Sequence, residues 1–357
     1  MINLIFCSDF EKRLTAIANM SSEEDFEMEV DEKMIYAKKD CRIAVYLGDS
    51  TIQVKTFLQD DSEETVQFLV SYIDVISLKW YPSPSRNTLA VWSIEGYIEF
   101  WDESKANSVG NPKEYKLAGK MDLKFRHVDN FDFASHHFGF IIAIWDVKKE
   151  IHLYQAPDEL DLNRWIRLTT IPLSMAIDDW LVWSSDRNAP PMLVVSVSDK
   201  SFTGKKLMSY LFDSSVQYYT EELIENPAFP YINKVQFSPV SHESDYEIAI
   251  ASEVVHVMKF KLNRPIDKER EKNLQLLAHE TLGEDLDEYS SVSYNGCGSL
   301  LLAVPNGDFD LKLFQMDKNN KWSFFRSMKK EAFDDVEAGS SNLEKDASEL
   351  LLEHEQE

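Results

Sequence analysis

What most limits the fold of this chain is a recurring unit of short strands. Helical periodicity is scarce. Instead an alternating strand, a few turn residues, a β-branched strand, a Gly or Asp turn and a further strand follow one another repeatedly. The clearest copy spans residues 75–102, where Pro82 and Pro84 end the first strand and Glu95-Gly96 turns the second into the third. Aligned on its anchor aromatic, Trp80, the other copies fall at Tyr36, Phe133, Trp183, Phe237 and Tyr294, with spacings of 44, 53, 50, 54 and 57 residues. Six units therefore fit the chain. Second strands are expected at residues 43–47, 89–93, 140–144, 192–197, 247–251 and 300–304, and third strands at 52–57, 97–101, 151–154, 207–212, 254–260 and 310–314. A period of this length carrying several strands predicts an all-β protein, a β-propeller of six blades, because a four-stranded blade buries its faces only against neighbouring blades. The anchor aromatics are read as blade-core packing residues.

Composition supplies the boundaries. Apolar residues make up 44% of the 357 and charged residues 28%, enough for a packed core. The propeller is expected over residues 1–330, with an acidic stretch at 22–32 and an inter-blade loop at 263–286; residues 331–357, ten acidic against Lys345, read as a disordered tail. A net charge of −25 repels phosphate backbones and anionic headgroups, so no direct nucleic-acid partner is expected. Cys7, Cys41 and Cys297 are too far apart for a zinc ribbon or a disulfide framework, which fits a reducing compartment. The apolar residues 1–7 lack a basic flank and a small-residue cleavage site, so no secretory signal is expected. The longest apolar run, residues 138–145, is far short of the roughly 20 residues of a membrane-spanning helix, and no transmembrane segment is expected.

Two features point to WD-repeat proteins: Ile98-Glu99-Phe100-Trp101-Asp102, and the Ser-Pro that follows Phe237. The blades are degenerate: the usual Gly-His pair is missing, and Trp145-Asp146 is expected to lie before a strand rather than at its end. Residues 131–171 are more specific. His137, Gly139, Tyr154, Ala156, Pro157, Asp158, Leu162 and Trp165 resemble the third blade of the SEH-type WD-repeat nucleoporins, propellers of the nuclear pore Y complex. In this linker Pro157 ends a strand, Asp158 caps a short helical turn and Trp165 begins the outer strand by packing on the blade edge. The resemblance extends, more weakly, over residues 31–325.

That resemblance implies an open ring of six blades, completed in trans by a blade from a helical-solenoid nucleoporin, with other Y complex subunits as further partners. It implies a structural scaffold at the nuclear envelope that supports pore assembly, mRNA export and protein transport. A GATOR/SEA-type role in TOR regulation at lysosomal or vacuolar membranes is equally compatible. The alternative is a divergent WD-repeat adaptor, such as a ubiquitin-ligase substrate receptor or a vesicle-coat subunit. Residues 1–6 offer another way to fill a seventh position.

No catalytic, cofactor or metal site is expected. His136 and His137 are adjacent on a turn, where their side chains would point apart, and no third ligand is suitably spaced. Thr203-Gly204-Lys205-Lys206 lacks the first glycine of a phosphate loop, Asp199 standing in its place, and reads as a hairpin turn. No GxSxG context appears, so the chain is not read as an enzyme. The expected functional surface is the open edge of the ring, where unpaired strand edges would accept a donated sheet by β-augmentation. The apolar residues expected to line it are Ile43, Val45, Ile52 and Val54 in the first unit, with Leu301, Ala303, Leu311 and Leu313 in the last.

Overall fold

The computed structural model describes residues 36–328 apart from 40–41, 49, 58–62, 72–73, 84–85, 104–113, 124–127, 147–149, 174–175, 185–189, 199–203, 213–218, 225–228, 240–244, 264–272, 284–287, 295–297 and 307–310. The stretches 1–6, 22–32 and 331–357 and the three cysteines lie outside the described residues.

Six separate four-stranded antiparallel sheets follow one another, each a meander in which sequence order is spatial order. Blade 1 holds β1 (Tyr36–Lys39), β2 (Arg42–Gly48), β3 (Thr51–Phe57) and β4 (Glu63–Leu69). Blade 2 holds β5 (Val75–Trp80), β6 (Thr88–Ser93), β7 (Tyr97–Glu103) and β8 (Tyr115–Asp122). Blade 3 holds β9 (Val128–Phe133), β10 (Phe140–Asp146), β11 (Glu150–Ala156) and β12 (Ile166–Pro172). Blade 4 holds β13 (Ala176–Trp183), β14 (Met192–Ser198), β15 (Lys205–Phe212) and β16 (Tyr219–Leu223). Blade 5 holds β17 (Lys234–Phe237), β18 (Asp245–Ala251), β19 (Val255–Leu262) and β20 (Leu274–Leu282). Blade 6 holds β21 (Tyr289–Tyr294), β22 (Leu300–Pro305), β23 (Leu311–Met316) and β24 (Trp322–Met328).

The expected second and third strands fall within two residues of the observed ones at each end. Two local expectations change. Residues 274–282, expected in a charged inter-blade loop, form β20, an outer strand whose many polar side chains alternate with Leu274, Leu276 and Leu282. Trp145-Asp146 closes β10, because the Asp146 side chain accepts the Glu150 backbone N–H at 3.1 Å and so holds the β10–β11 hairpin.

No strand ladder joins one blade to the next, so the ring is held by sheet faces. Among the described residues five hydrophobic clusters do this, one at each successive junction. Ile52 and Val54 meet Leu78, Trp80 and Val91 between blades 1 and 2. Trp92, Ile98 and Phe100 meet Phe131, Phe140 and Ile142 between blades 2 and 3. Ile141, Ala143 and Leu153 meet Leu193, Val195 and Tyr210 between blades 3 and 4. Val194, Leu207 and Leu211 meet Ile248, Ile250 and Phe260 between blades 4 and 5. Ala249, Val255 and Val257 meet Val292, Leu301 and Phe314 between blades 5 and 6. Trp80, Phe133, Trp183, Phe237 and Tyr294 each end the first strand of a blade and enter the cluster shared with the preceding blade. The periodic aromatic is thus a junction residue.

Candidate partner interface

No described cluster joins blade 6 to blade 1. Burial along the strands shows the consequence. A strand covered on both faces is buried at every position, whereas one covered on a single face alternates, because successive side chains point to opposite sides. β6 and β10 are buried throughout. β3 alternates instead: Ile52, Val54 and Thr56 are buried, and Thr51, Gln53 and Lys55 are only half-buried. In β23, Phe314 is buried while Leu311 and Leu313 are half-buried. Among the described residues, no hydrophobic cluster covers the faces of blades 1 and 6 that turn away from blades 2 and 5.

Strand register decides which of the expected lining residues belong to these faces. Val54 lies opposite Ala44, and Ile52 opposite Tyr46. Ile52, Val54 and Ala44 all sit in the cluster shared with blade 2. Val45, one step along β2, is directed to the other side, lies opposite Gln53 and is buried outside the five clusters. Ile43 occupies the same alternate set in β2 and pairs with Lys55. In blade 6, Leu301 and Ala303 are buried against blade 5 with Phe314. Leu313 lies opposite Leu302, and Leu311 is two residues along the same strand. The eight residues thus do not share one surface. Ile52, Val54, Leu301 and Ala303 belong to closed junctions; Val45, Leu311 and Leu313 lie on the opposite faces of their blades, Val45 buried and the two leucines half-buried. Leu302, absent from the expected set, lies on the same face as Leu313 and is buried. The β22–β23 register, which sets it across from Leu313, is what identifies it, and the sequence alone does not fix that register.

Every described junction in this molecule is built from side-chain clusters between separate sheets.

Polar links reinforce the closed junctions. Lys79 in β5 meets Asp132 in β9 at 3.4 Å, and the other oxygen of Asp132 accepts the Trp183 N–H in β13 at 3.0 Å. At the rim, Glu222 accepts the backbone N–H groups of Asn273 at 2.8 Å and Leu274 at 3.1 Å, and Glu280 accepts that of Trp322 at 3.1 Å. Tyr294 donates to Glu247 at 3.0 Å, and Lys259 lies 3.1 Å from the second oxygen of that carboxylate. Full burial and the nearby Glu247 charge push the Tyr294 hydroxyl well above its ordinary range.

The linker after β11 belongs to the blade 2–3 junction. Asp158 accepts the Leu160 N–H at 2.9 Å in a turn, and the described residues show no helix there. Trp165 stacks on Phe100 of blade 2 with centroids 5.0 Å apart, meets Phe140 edge-on at 5.6 Å and donates its indole N–H to the Leu162 carbonyl at 2.8 Å. It therefore seals the junction rather than the edge of its own blade. A β-carbon at Gly119 in β8 would lie 2.3 Å from the Leu162 carbonyl carbon, so only glycine allows the linker this close. Arg86 reinforces the contact by donating to the Glu159 carbonyl and to Asp102.

His136 and His137 lie in a short 3-10 turn with ring centroids 3.8 Å apart, since that turn does not splay neighbouring side chains as a strand does. Among the described residues, three metal-type donors gather at Asp146, Glu150 and His152, within 4.8 Å of one another. His152 is 3.1 Å from Asp146 through Nε2 and 3.1 Å from Thr170 through Nδ1. These contacts brace β10, β11 and β12 within one blade. His256 and His279 form a second pair, with Nδ1 of the first 3.0 Å from Nε2 of the second. Burial, aided by His279, lowers the pKa of His256 to about 4.

No protein-family model matches the chain. The chain is similar to Nucleoporin SEH1 of Danio rerio, at 25% identity over 244 residues, covering 66% of this chain and 64% of that protein. Nucleoporin SEH1-B of Xenopus laevis is 25% identical over 245 residues, with the same coverage. Nucleoporin SEH1 of Caenorhabditis briggsae is 26% identical over 140 residues, 38% of either chain. The chain thus matches less than two thirds of the length of these relatives. Among solved structures, the β-propeller domain of Cps50 (Swd1) from Myceliophteria thermophila superposes with a TM-score of 0.53 at 12% identity, covering 83% of this chain and 85% of that one. Sqt1 of Saccharomyces cerevisiae gives a TM-score of 0.51 at 12% identity, covering 83% and 74%. These structural likenesses support the propeller fold, and the sequence similarity to Nucleoporin SEH1 is distant. Among the described residues, no helix is long and apolar enough to cross a membrane.

Proposed function

We propose that this chain is a structural scaffold subunit of a nuclear-pore outer ring of the Y-complex type, an open propeller whose seventh position is filled in trans by a blade from a helical-solenoid nucleoporin. The observation that carries the reading is the row of five junction clusters with no described counterpart between blades 6 and 1. The similarity to Nucleoporin SEH1 supports the choice of assembly. In this reading the chain contributes binding surface and rigidity, and its part in pore assembly, mRNA export and protein transport is that of a platform. A GATOR/SEA-type role at lysosomal or vacuolar membranes would use the same surface.

The test is to tag the endogenous chain, image it, and determine the structure of the assembly purified with it. The expected results are a signal at the nuclear rim and strands of another protein between blades 6 and 1. Absence from the rim would remove the pore assignment, and a ring closed by the chain's own residues would remove completion in trans.

A further inference from the structure

Strand register gathers a separate chemistry in blade 3. Asp146 pairs with Glu150 across the β10–β11 hairpin, and His152 lies between Ile144 on β10 and Thr170 on β12. Strand alternation therefore sets Asp146, Glu150, His152 and Thr170 on one face of the sheet, the face that Ile144 turns to blade 2. The side chains of His152 and Asp146 are 2% and 1% exposed, whereas that of Glu150 is 40% exposed. Nε2 of His152 is 3.1 Å from Oδ2 of Asp146 and 3.8 Å from Oε2 of Glu150.

We propose that Asp146 Oδ2, Glu150 Oε2 and His152 Nε2 form a binding site for one zinc-type divalent ion. Ligands bonded to a tetrahedral zinc at about 2.0–2.1 Å stand about 3.3 Å from one another, close to the separations these atoms already have. The remaining polar atoms hold the ligands in place. Oδ1 of Asp146 accepts the Glu150 backbone N–H at 3.1 Å, which keeps Oδ2 directed at the imidazole. Nδ1 of His152 is 3.1 Å from the Thr170 hydroxyl, a group that can either donate or accept. In the metal-free chain Nε2–H donates to Asp146 and the hydroxyl donates to Nδ1. When the ion binds, the imidazole proton moves to Nδ1 and is donated to Thr170, so Nε2 becomes a ligand with no turn of the ring. One imidazole with two carboxylates favours zinc over calcium or magnesium, which take oxygen ligands. The half-exposed Glu150 gives the ion its way in, and water completes the coordination on that side. The bound ion ties β10 to β11 and, through Thr170, to β12, whichever assembly holds the chain.

The test uses the purified full-length chain, freed of metal with a chelator and titrated with zinc chloride against a chromophoric zinc chelator. One ion per chain at micromolar affinity is expected, with a rise in the thermal midpoint. His152→Gln should weaken binding about a hundredfold and Glu150→Gln about tenfold, and Thr170→Val, which removes no ligand, about tenfold through the imidazole. Cobalt(II) should give the visible spectrum of a tetrahedral nitrogen–oxygen site in the parent and lose it in Glu150→Gln. Thermal unfolding of each variant checks the fold, and Glu150→Gln, at the half-exposed position, carries the comparison if His152→Gln unfolds. The triple variant His136→Gln/His137→Gln/His354→Gln, which removes the adjacent pair and the imidazole of the acidic tail, should bind as the parent does.

No uptake of zinc at micromolar concentration, or binding that Glu150→Gln and His152→Gln leave unchanged, would overturn the site and leave the four residues as a hydrogen-bonded brace. Loss of binding in the triple variant would assign the ion to the His136–His137 pair or the tail and overturn it equally.

Discussion

Interior and terminal blades are built from the same meander, yet their second and third strands are buried differently. β6, β10, β14 and β18 are buried along almost their whole length, whereas β2 leaves Leu47 exposed and Tyr46 half-buried, and β22 leaves Leu300 and Val304 half-buried. The contrast shows where the stability of a propeller resides. One sheet face alone is a marginal structure, and each junction stabilises two blades at once. Among the described residues, four blades share two junction clusters each and the terminal blades share one.

The largest effect should come from an interior junction. Phe140 is fully buried, stacks on Tyr81 with centroids 3.8 Å apart and meets Phe100, Phe133 and Trp165 edge-on. Phe140→Ala should cost about 3–5 kcal/mol in urea unfolding, from lost transfer free energy plus a cavity that the four neighbouring aromatic side chains cannot close. Leu313→Ala on the open face of blade 6 should cost about 1 kcal/mol in the isolated chain. Similar losses at the two sites would break the contrast between closed and open walls.

Next comes the linker. Gly119→Ala sets a β-carbon against the Leu162 backbone, which has no flexible end to move aside, and should cost on the order of 2 kcal/mol. Because Trp165 rides on the same linker and stacks on Phe100, its fluorescence should change with the substitution. An unchanged spectrum would mean that the linker does not seal the blade 2–3 junction.

These residues also show how far the fold could be read from sequence. The anchor spacing placed six blades and their middle strands because aromatics at a fixed register are required at every junction. The direction of each side chain was less legible, since it depends on hairpin register: a one-residue step separates Val45, on the open side, from Ala44, on the closed side. The links of Asp132, Glu222 and Glu280 were not legible at all. Each joins residues some 40 to 50 positions apart, and a surface carboxylate that accepts a backbone N–H looks in sequence like any other acidic residue.

A smaller effect should appear with acid. His256 is held neutral in the fold, with a pKa of about 4, whereas it titrates near 6.5 in the unfolded chain. The unfolded state therefore binds the proton first as the pH falls. The contribution is unchanged above about pH 6.5 and is lost progressively down to about pH 4, on the order of 2 kcal/mol or less after allowance for partial hydration. His256→Gln should flatten this part of the stability profile relative to the parent chain. Phe229 lies 4.8 Å from the His256 ring and belongs to the blade 4–5 cluster, so the acid-sensitive element sits at an interior junction. An identical slope in parent and variant would show that other groups govern it.

The smallest expected effect concerns residues 331–357, which follow β24 of blade 6 and carry ten acidic residues with a single lysine, Lys345. The tail contains an apolar triplet, Leu350-Leu351-Leu352, that is chemically suited to cover Leu302, Leu311 and Leu313 in the same molecule. Three leucines among so many like charges cannot offset the entropy of ordering the intervening chain, which costs about 1–2 kcal/mol per residue for the backbone alone. Truncation after Lys330 should therefore leave the thermal midpoint within about 1 °C of the full chain, a stability change of only a few tenths of a kcal/mol. A drop of several degrees would mean that the tail already serves as cover for blade 6, and the open wall would then be a site the chain occupies itself until a partner displaces it.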